Sequence, residues 1–311
     1  VNTAKNQFIG FSRFKLFFAL SRTPHGLLDM ATPPFAALLW LGGFPDFWVM
    51  AIGLTTTFAG YTAVYALNDV YDYHIDKEKV AGDVYCCPEN YLDAVMILHP
   101  MAHGCLSFKA GLFWALGWSA IAILGAYLLN PVCVLIFLAG CLLEAIYCFL
   151  WRVSPLRTLV NGAVKTSGAV AAVFAVDPNP SFVFIVVLVL ALFFWEIGGQ
   201  NIPADWTDLE ADKNMGAKTV PVVAGRQLSS HLAVITLWVS IALTSLLFQL
   251  SKAGFSPLQG LISIIIGICI LIYPAYRLLY SHCRKDAMSL FNTASYYPPS
   301  LLALVLFGFL W

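Results

Sequence analysis

Nine apolar runs, each long enough to cross a bilayer as a helix, dominate this chain: about 24–42, 47–69, 110–129, 131–151, 158–176, 181–200, 231–250, 258–280 and 293–311. A helical crossing needs about 20 apolar residues, because the hydrocarbon core is about 30 Å thick and a helix rises 1.5 Å per residue. Short polar or Pro/Gly breaks separate the runs, as at Gly42-Gly43-Phe44-Pro45 and Asp177-Pro178-Asn179-Pro180. With 60% AVILMFWYC and only 11% charged residues, a soluble domain could not hide this much apolar surface. The expected fold is an all-α integral membrane protein, with nine transmembrane helices in a single bundle spanning residues 1–311.

Every Lys and Arg except Lys165 and Lys252 falls on one side of that topology. By the positive-inside rule that side is the cytoplasm, and it includes the N-terminus. Residues 1–22 mix Phe and Leu with Arg13 and Lys15, which suits a segment lying at the interface. Basic and acidic residues balance at 17 each, so nothing in the charge points to nucleic acid. Cys133, Cys141, Cys148 and Cys269 lie within apolar runs and no CxxC pair occurs, so the cysteines read mostly as buried thiols.

Two long cytoplasmic loops are expected, at 70–109 after helix two and 201–230 after helix six, and they hold most of the acidic residues. The first begins Asn68-Asp69-Val70-Tyr71-Asp72-Tyr73-His74-Ile75-Asp76. Carried on as a helix, it puts Asn68, Asp72 and Asp76 on one stripe with Asp69 beside them. In the second, Asp205, Asp208 and Asp212 share a face in the same way. Aligned carboxylates repel one another unless a cation neutralises them. Hard oxygen ligands of this kind suit Mg²⁺, which commonly bridges to substrate phosphates. Either cluster alone also fits solvated loop acids; two clusters at matching helix ends on one membrane face argue for a shared task.

Asn68-Asp69-x-x-Asp72-x-x-x-Asp76 resembles the NDxxDxxxD motif of the UbiA superfamily of intramembrane prenyltransferases. Asp208-x-x-x-Asp212 resembles its second motif, and Gly216 to Gly225 (GAKTVPVVAG) its usual continuation. Ser154-Pro155-Leu156-Arg157 is similar to a short basic loop found there. The resemblance implies a Mg²⁺-dependent transferase in which Asn68, Asp69, Asp72, Asp76, Asp205, Asp208 and Asp212 hold metal and a prenyl diphosphate. It further implies an apolar groove for the tail, an acceptor that is aromatic (quinone-precursor-like) or otherwise lipidic, and a prokaryotic plasma membrane. After the first motif the chain departs from the family, reading Lys77-Glu78-Lys79 and later His99-Pro100-Met101-Ala102-His103.

Departing diphosphate concentrates charge, and Lys77, Arg157 and Lys218 are cytoplasmic-side cations placed to meet it, while Arg22, at the mouth of the first span, resembles a family arginine near the site. With Asp72 and Asp208, Lys77 and Arg157 form the expected catalytic set. Tyr71 and Tyr147 are candidates to stabilise an allylic cation through their ring faces. Lys165 lies about eight residues into the fifth span, among small residues that favour a bundle-facing position. Asp29, Glu144 and Glu196 are further interior candidates. His99 and His103 have helical metal spacing but no evident third ligand, and read as loop structure. A membrane terpene cyclase on the same scaffold and a cation-coupled transporter are the rival functions. The transporter is weakened by acids gathered at one face rather than at the midplane.

Overall fold

A computed structural model describes residues 13–81 and 92–310, and all regular structure among them is helical. Seven helices among the described residues are long and apolar enough to cross a membrane: α4 (Phe47–Tyr71), α6 (Phe108–Leu129), α7 (Pro131–Arg152), α8 (Arg157–Val176), α9 (Phe182–Thr207), α11 (Val220–Leu250) and α12 (Pro257–Ser281). The shorter α-helices among the described residues are α1 (Arg13–Leu20), α2 (Thr23–Asp29), α3 (Thr32–Leu41), α5 (Tyr73–Ala81), α10 (Leu209–Asn214), α13 (Arg284–Ala294) and α14 (Tyr297–Gly308), with a 3-10 turn at Leu92–Val95.

Two of the nine expected spans are therefore broken. Run 24–42 becomes α2 and α3, and run 293–311 becomes the end of α13 followed by α14. Proline is the cause in both. Pro33 and Pro34, and later Pro298 and Pro299, sit in the first turn of the second helix, where a missing N–H is tolerated. They cannot continue the helix before them. Hydropathy alone sees one run where the backbone must restart.

The expected loops are also more helical than their polarity suggests. α4 runs on to Tyr71, and after a bend at Asp72 the chain resumes as α5. α9 carries through Thr207, bends at Asp208 and resumes as α10. α11 starts at Val220, and a left-handed Gly225 (φ 76°) absorbs a kink near its start. Within α9 and α12 the residues 196–201 and 268–272 form π turns just ahead of Pro203 and Pro274, where the ladder must accommodate a residue without N–H. The expected interfacial segment lies outside the described residues as far as residue 12. Its remainder includes α1, which buries Leu16, Ala19 and Leu20 against Ala66 of α4, Ala115 of α6 and Ile97, Met101 and Leu106. Cys86 and Cys87 also lie outside the described residues.

α4 packs on α6, α7 on α8 and α9 on α11, while α3 packs against α8 and α14. The α4–α6 seam is built from small side chains: Ala59, Ala63 and Ala66 on one helix, Ala115, Ala122 and Ala126 on the other, all buried. A Cβ on Gly125 would lie 2.0 Å from Thr56 Oγ1, so the backbones approach too closely for anything larger. The largest core cluster gathers Phe35, Phe184, Trp195, Leu237, Phe248 and Tyr297 from α3, α9, α11 and α14. Phe113, Leu124, Leu135, Leu142 and Phe149 project outward, where lipid tails replace water as the solvent. This is an integral membrane protein.

Candidate active site

The two acidic segments meet. A polar chamber of about 380 Å³ is lined by Asp72, Asp76 and Lys79 from the first, by Asp205, Asp208 and Asp212 from the second, and by Arg22, Asn68, His99, Tyr147 and Arg157. Asp72 and Asp208 occupy matching places: each closes one helix and opens the next, with φ, ψ of −85°, 1° and −102°, 8°. Asp76 N donates to Asp72 O and Asp212 N to Asp208 O, both at 2.8 Å, so each bend is followed by one helical turn carrying the next aspartate. Beyond these bends both acid rows line the same space.

Cations stitch the chamber together. Arg157 Nη1 lies 3.8 Å from Asp205 Oδ1, and its guanidinium stands 4.1 Å from the Tyr147 ring centroid. Lys79 Nζ is 4.0 Å from Asp212 Oδ1 and 5.0 Å from the Trp151 ring centroid. Arg22 Nη2 donates to Asn68 Oδ1 at 3.2 Å and sits 3.4 Å from Asp69 Oδ1. Asn68 Nδ2 in turn donates to Glu144 Oε1 at 2.6 Å, inside the bundle. His99 Nδ1 reaches Asp69 Oδ1 at 3.1 Å and Asp76 Oδ2 at 2.7 Å. Arg22 and His99 both hold left-handed backbones (φ 44° and 50°), a conformation that costs a non-glycine residue energy and that clusters at functional sites.

Burial opposes the His99 charge, but the carboxylates of Asp76 and Asp69 outweigh it and raise its pKa to about 10. The imidazole is therefore an imidazolium at neutral pH. Burial raises Asp72 to about 6, with the neighbouring Asp76 charge adding to it. Asp212 is likewise raised by burial to about 6, although Lys79 pulls the other way. Asp72 Oδ1, Asp205 Oδ2 and Asp212 Oδ1 are buried and have no hydrogen-bond partner. Three such oxygens in one chamber, unmet by hydrogen bonds even with Lys79 and Arg157 nearby, are a costly arrangement that a metal ion would relieve. The donor set is hard oxygen, so the residues fit Mg²⁺.

Below the polar chamber lies an apolar cavity of about 540 Å³, running between α3, α4, α8 and α9 past Val49, Met50, Phe137, Ala172 and Leu306. Arg22, Asn68, Tyr147 and Ala204 line both spaces and form the boundary between them. The arrangement suits a ligand with a polyanionic head and an apolar tail. Lys165 lines the apolar cavity; it forms an ion pair with Asp29 and donates to Tyr65 Oη at 2.8 Å.

Of the residues expected from sequence, Arg22, Asn68, Asp72, Asp76, Tyr147, Arg157, Asp205, Asp208 and Asp212 line the polar chamber, and Lys165 the cavity beneath. Asp69 does not line either space; its carboxylate is held between Arg22 and His99. Tyr71, Lys77 and Lys218 are exposed and line neither. Lys77 lies over the Tyr73 ring instead, and the Lys218 backbone N–H donates to Trp151 O at 2.8 Å. Lys79, two residues beyond Lys77, is the lysine that α5 turns inward. The His99 ring joins the first acidic motif through Asp69 and Asp76, contacts distant in sequence that no local spacing announces. Arg226 and Arg284 also line the chamber.

Fold and site together define an integral membrane protein in which an acid-lined polar chamber adjoins an apolar cavity within the helix bundle. The model of the UbiA prenyltransferase family matches residues 31–296, and the chain belongs to that family. It is 23% identical over 274 residues to the digeranylgeranylglyceryl phosphate synthase of Thermococcus kodakarensis, covering 88% of this chain and 90% of the relative. It is 29% identical over 221 residues to the enzyme of that name from Thermococcus sibiricus, covering 71% of each. In fold it is similar to a UbiA homologue from Aeropyrum pernix (TM-score 0.69, 17% identity, 92% of this chain and 97% of the other). It is also similar to one from Archaeoglobus fulgidus bound to GPP and Mg²⁺ (TM-score 0.67, 13% identity, 93% and 99%).

Proposed function

We propose that this prenyltransferase moves an isoprenyl group from an allylic prenyl diphosphate to a lipid-like acceptor of the glyceryl phosphate type, using Mg²⁺. One observation carries the reading: the acid-lined chamber adjoins the apolar cavity across a boundary of only four residues, Arg22, Asn68, Tyr147 and Ala204. Asp72, Asp205, Asp208 and Asp212 would hold the metal, whose bound charge offsets that of the departing diphosphate. Arg157 and Lys79 add positive charge beside the same oxygens, and Tyr147 presents its ring where an allylic cation would form.

The named relatives favour the lipidic half of the acceptor expectation over the aromatic half. α2 with α3, and α13 with α14, are read as two further, broken crossings. That reading restores nine passages and sets both acid rows on the cytoplasmic face with Arg152, Arg157, Lys213 and Arg284.

The test is diphosphate release by purified protein from a panel of allylic prenyl diphosphates, with a polyprenylated glyceryl phosphate or an aromatic acceptor, in Mg²⁺ or EDTA. Mg²⁺-dependent release coupled to an ether product supports the reading. No release from any donor, by protein that melts cooperatively, would overturn it.

A further inference from the structure

α8 places Arg157, Asn161 and Lys165 at i, i+4 and i+8, so one face of the helix descends from the polar chamber into the bundle in steps of one turn, about 6 Å each. Arg157 faces Asp205. One turn deeper, Asn161 Nδ2 donates to Glu196 Oε1 at 2.8 Å. One turn deeper again, Lys165 closes on Asp29 and Tyr65. Glu196 thus occupies the level just beneath Arg157, which would meet the diphosphate charge.

Glu196 opens the π turn of α9, which also carries Gln200 and Asn201, and all three residues line the apolar cavity. They are buried, with exposures of 2%, 2% and 3%. Each keeps one side-chain oxygen without a hydrogen-bond partner: Glu196 Oε2, Gln200 Oε1 and Asn201 Oδ1. Three buried acceptors on one wall of a mostly apolar cavity, each without a protein hydrogen-bond partner, suit a ligand that brings donors. A prenyl tail has none. An alcohol has one, and it is the group that would have to lose its proton. π turns often mark functional positions, because they re-aim side chains out of helical register.

Resting on the transfer reading above, we infer that Glu196 is a catalytic residue: Oε2 accepts the proton of an acceptor hydroxyl, while Asn161 holds the carboxylate through Oε1. The acceptor is therefore an alcohol that is prenylated on oxygen. In the reaction the C1–O bond of the prenyl diphosphate breaks and its electron pair leaves with the diphosphate. The acceptor oxygen forms the new C1–O bond, and its proton passes to Glu196, giving an ether, diphosphate and a protonated carboxyl. Asn161 is a positioning residue. Gln200, whose Nε2 donates to Ser295 Oγ at 3.1 Å, presents its oxygen from a fixed amide.

The test uses full-length protein with a polyprenylated glyceryl phosphate bearing one free hydroxyl, its deoxy analogue, an aromatic acceptor, and a prenyl S-thiolodiphosphate as a non-reacting donor. Glu196→Gln should slow transfer by about 100-fold or more, the usual contribution of a positioned general base. Its affinity for the thiolodiphosphate should stay within about twofold of wild type, and Glu196→Asp should recover part of the lost rate. Unchanged transfer in Glu196→Gln overturns the inference. So does joint loss of thiolodiphosphate binding and transfer, which marks a structural role. If Glu196→Gln fails to fold, Asn161→Leu carries the test: kcat should fall with the donor KM unchanged, and an unaltered kcat overturns it. Wild-type transfer to the aromatic acceptor or the deoxy analogue, with none to the alcohol, sinks the inference and leaves the transfer reading standing. No diphosphate release with any acceptor removes the transfer reading itself.

Discussion

Lys79 Nζ lies 4.0 Å from Asp212 Oδ1 and so joins the helix that follows the first acidic motif to the second motif. Beside it, Arg157 reaches Asp205 at 3.8 Å from a third helix. The acid rows are held as one site by cations supplied from elsewhere in the chain. These cations offset part of the repulsion among the carboxylates.

Asp72→Asn and Asp208→Asn should each lower diphosphate release by about 100- to 1000-fold, the scale on which removal of one electrostatic contributor acts. EDTA should abolish release by the wild-type protein, and added Mg²⁺ should restore it. Thermal melts should show both variants folded, because neither carboxylate packs against the apolar core.

Metal affinity should weaken as pH falls through about 6. Burial raises both Asp72 and Asp212 to that value, so below it both are protonated and neither is an anionic ligand. Titration of Mn²⁺ as a spectroscopic substitute, at pH 5 and pH 7.5, reads this directly; equal affinity at the two values would refute it.

His99→Gln should change how the metal-free protein responds to alkaline pH. His99 rises from the ordinary 6.5 to about 10 on folding. A raised folded pKa gives stability that is fully present below 6.5 and is lost as pH rises through 10. The wild-type Tm should therefore fall between pH 7 and pH 10 more steeply than that of the variant, measured in EDTA.

Lys165→Met should destabilise the protein by about 3–5 kcal/mol, because it leaves the Asp29 carboxylate buried without its cation. Asp29→Asn combined with Lys165→Met should recover most of that loss. A double variant no more stable than Lys165→Met would show that the pair does not act as a unit.

Ala172→Phe should shift donor preference toward shorter chains. Ala172 lines the apolar cavity, about seven residues beyond Lys165 on α8, where the added ring would fill space open to a tail. The ratio of kcat/KM for a short over a long donor should rise by about 10- to 100-fold.

The spacing of apolar residues determined the class of the chain and which of its runs form continuous spans, because a bilayer imposes a length rule that acts locally along the sequence. The repeated aspartates announced the metal-binding character of the site for a similar reason: unneutralised like charges at helical spacing call for a cation. Proline, read as punctuation within otherwise apolar runs, would have signalled the breaks at Pro33 and Pro298. Only the tertiary structure decided that α5 turns Lys79 inward and leaves Lys77 exposed, since the bend at Asp72 resets the helical phase. Only it could bring His99 onto Asp69 and Asp76, or set Glu196 beneath Arg157, because those contacts join segments far apart in sequence and depend on which faces the packed helices present to one another.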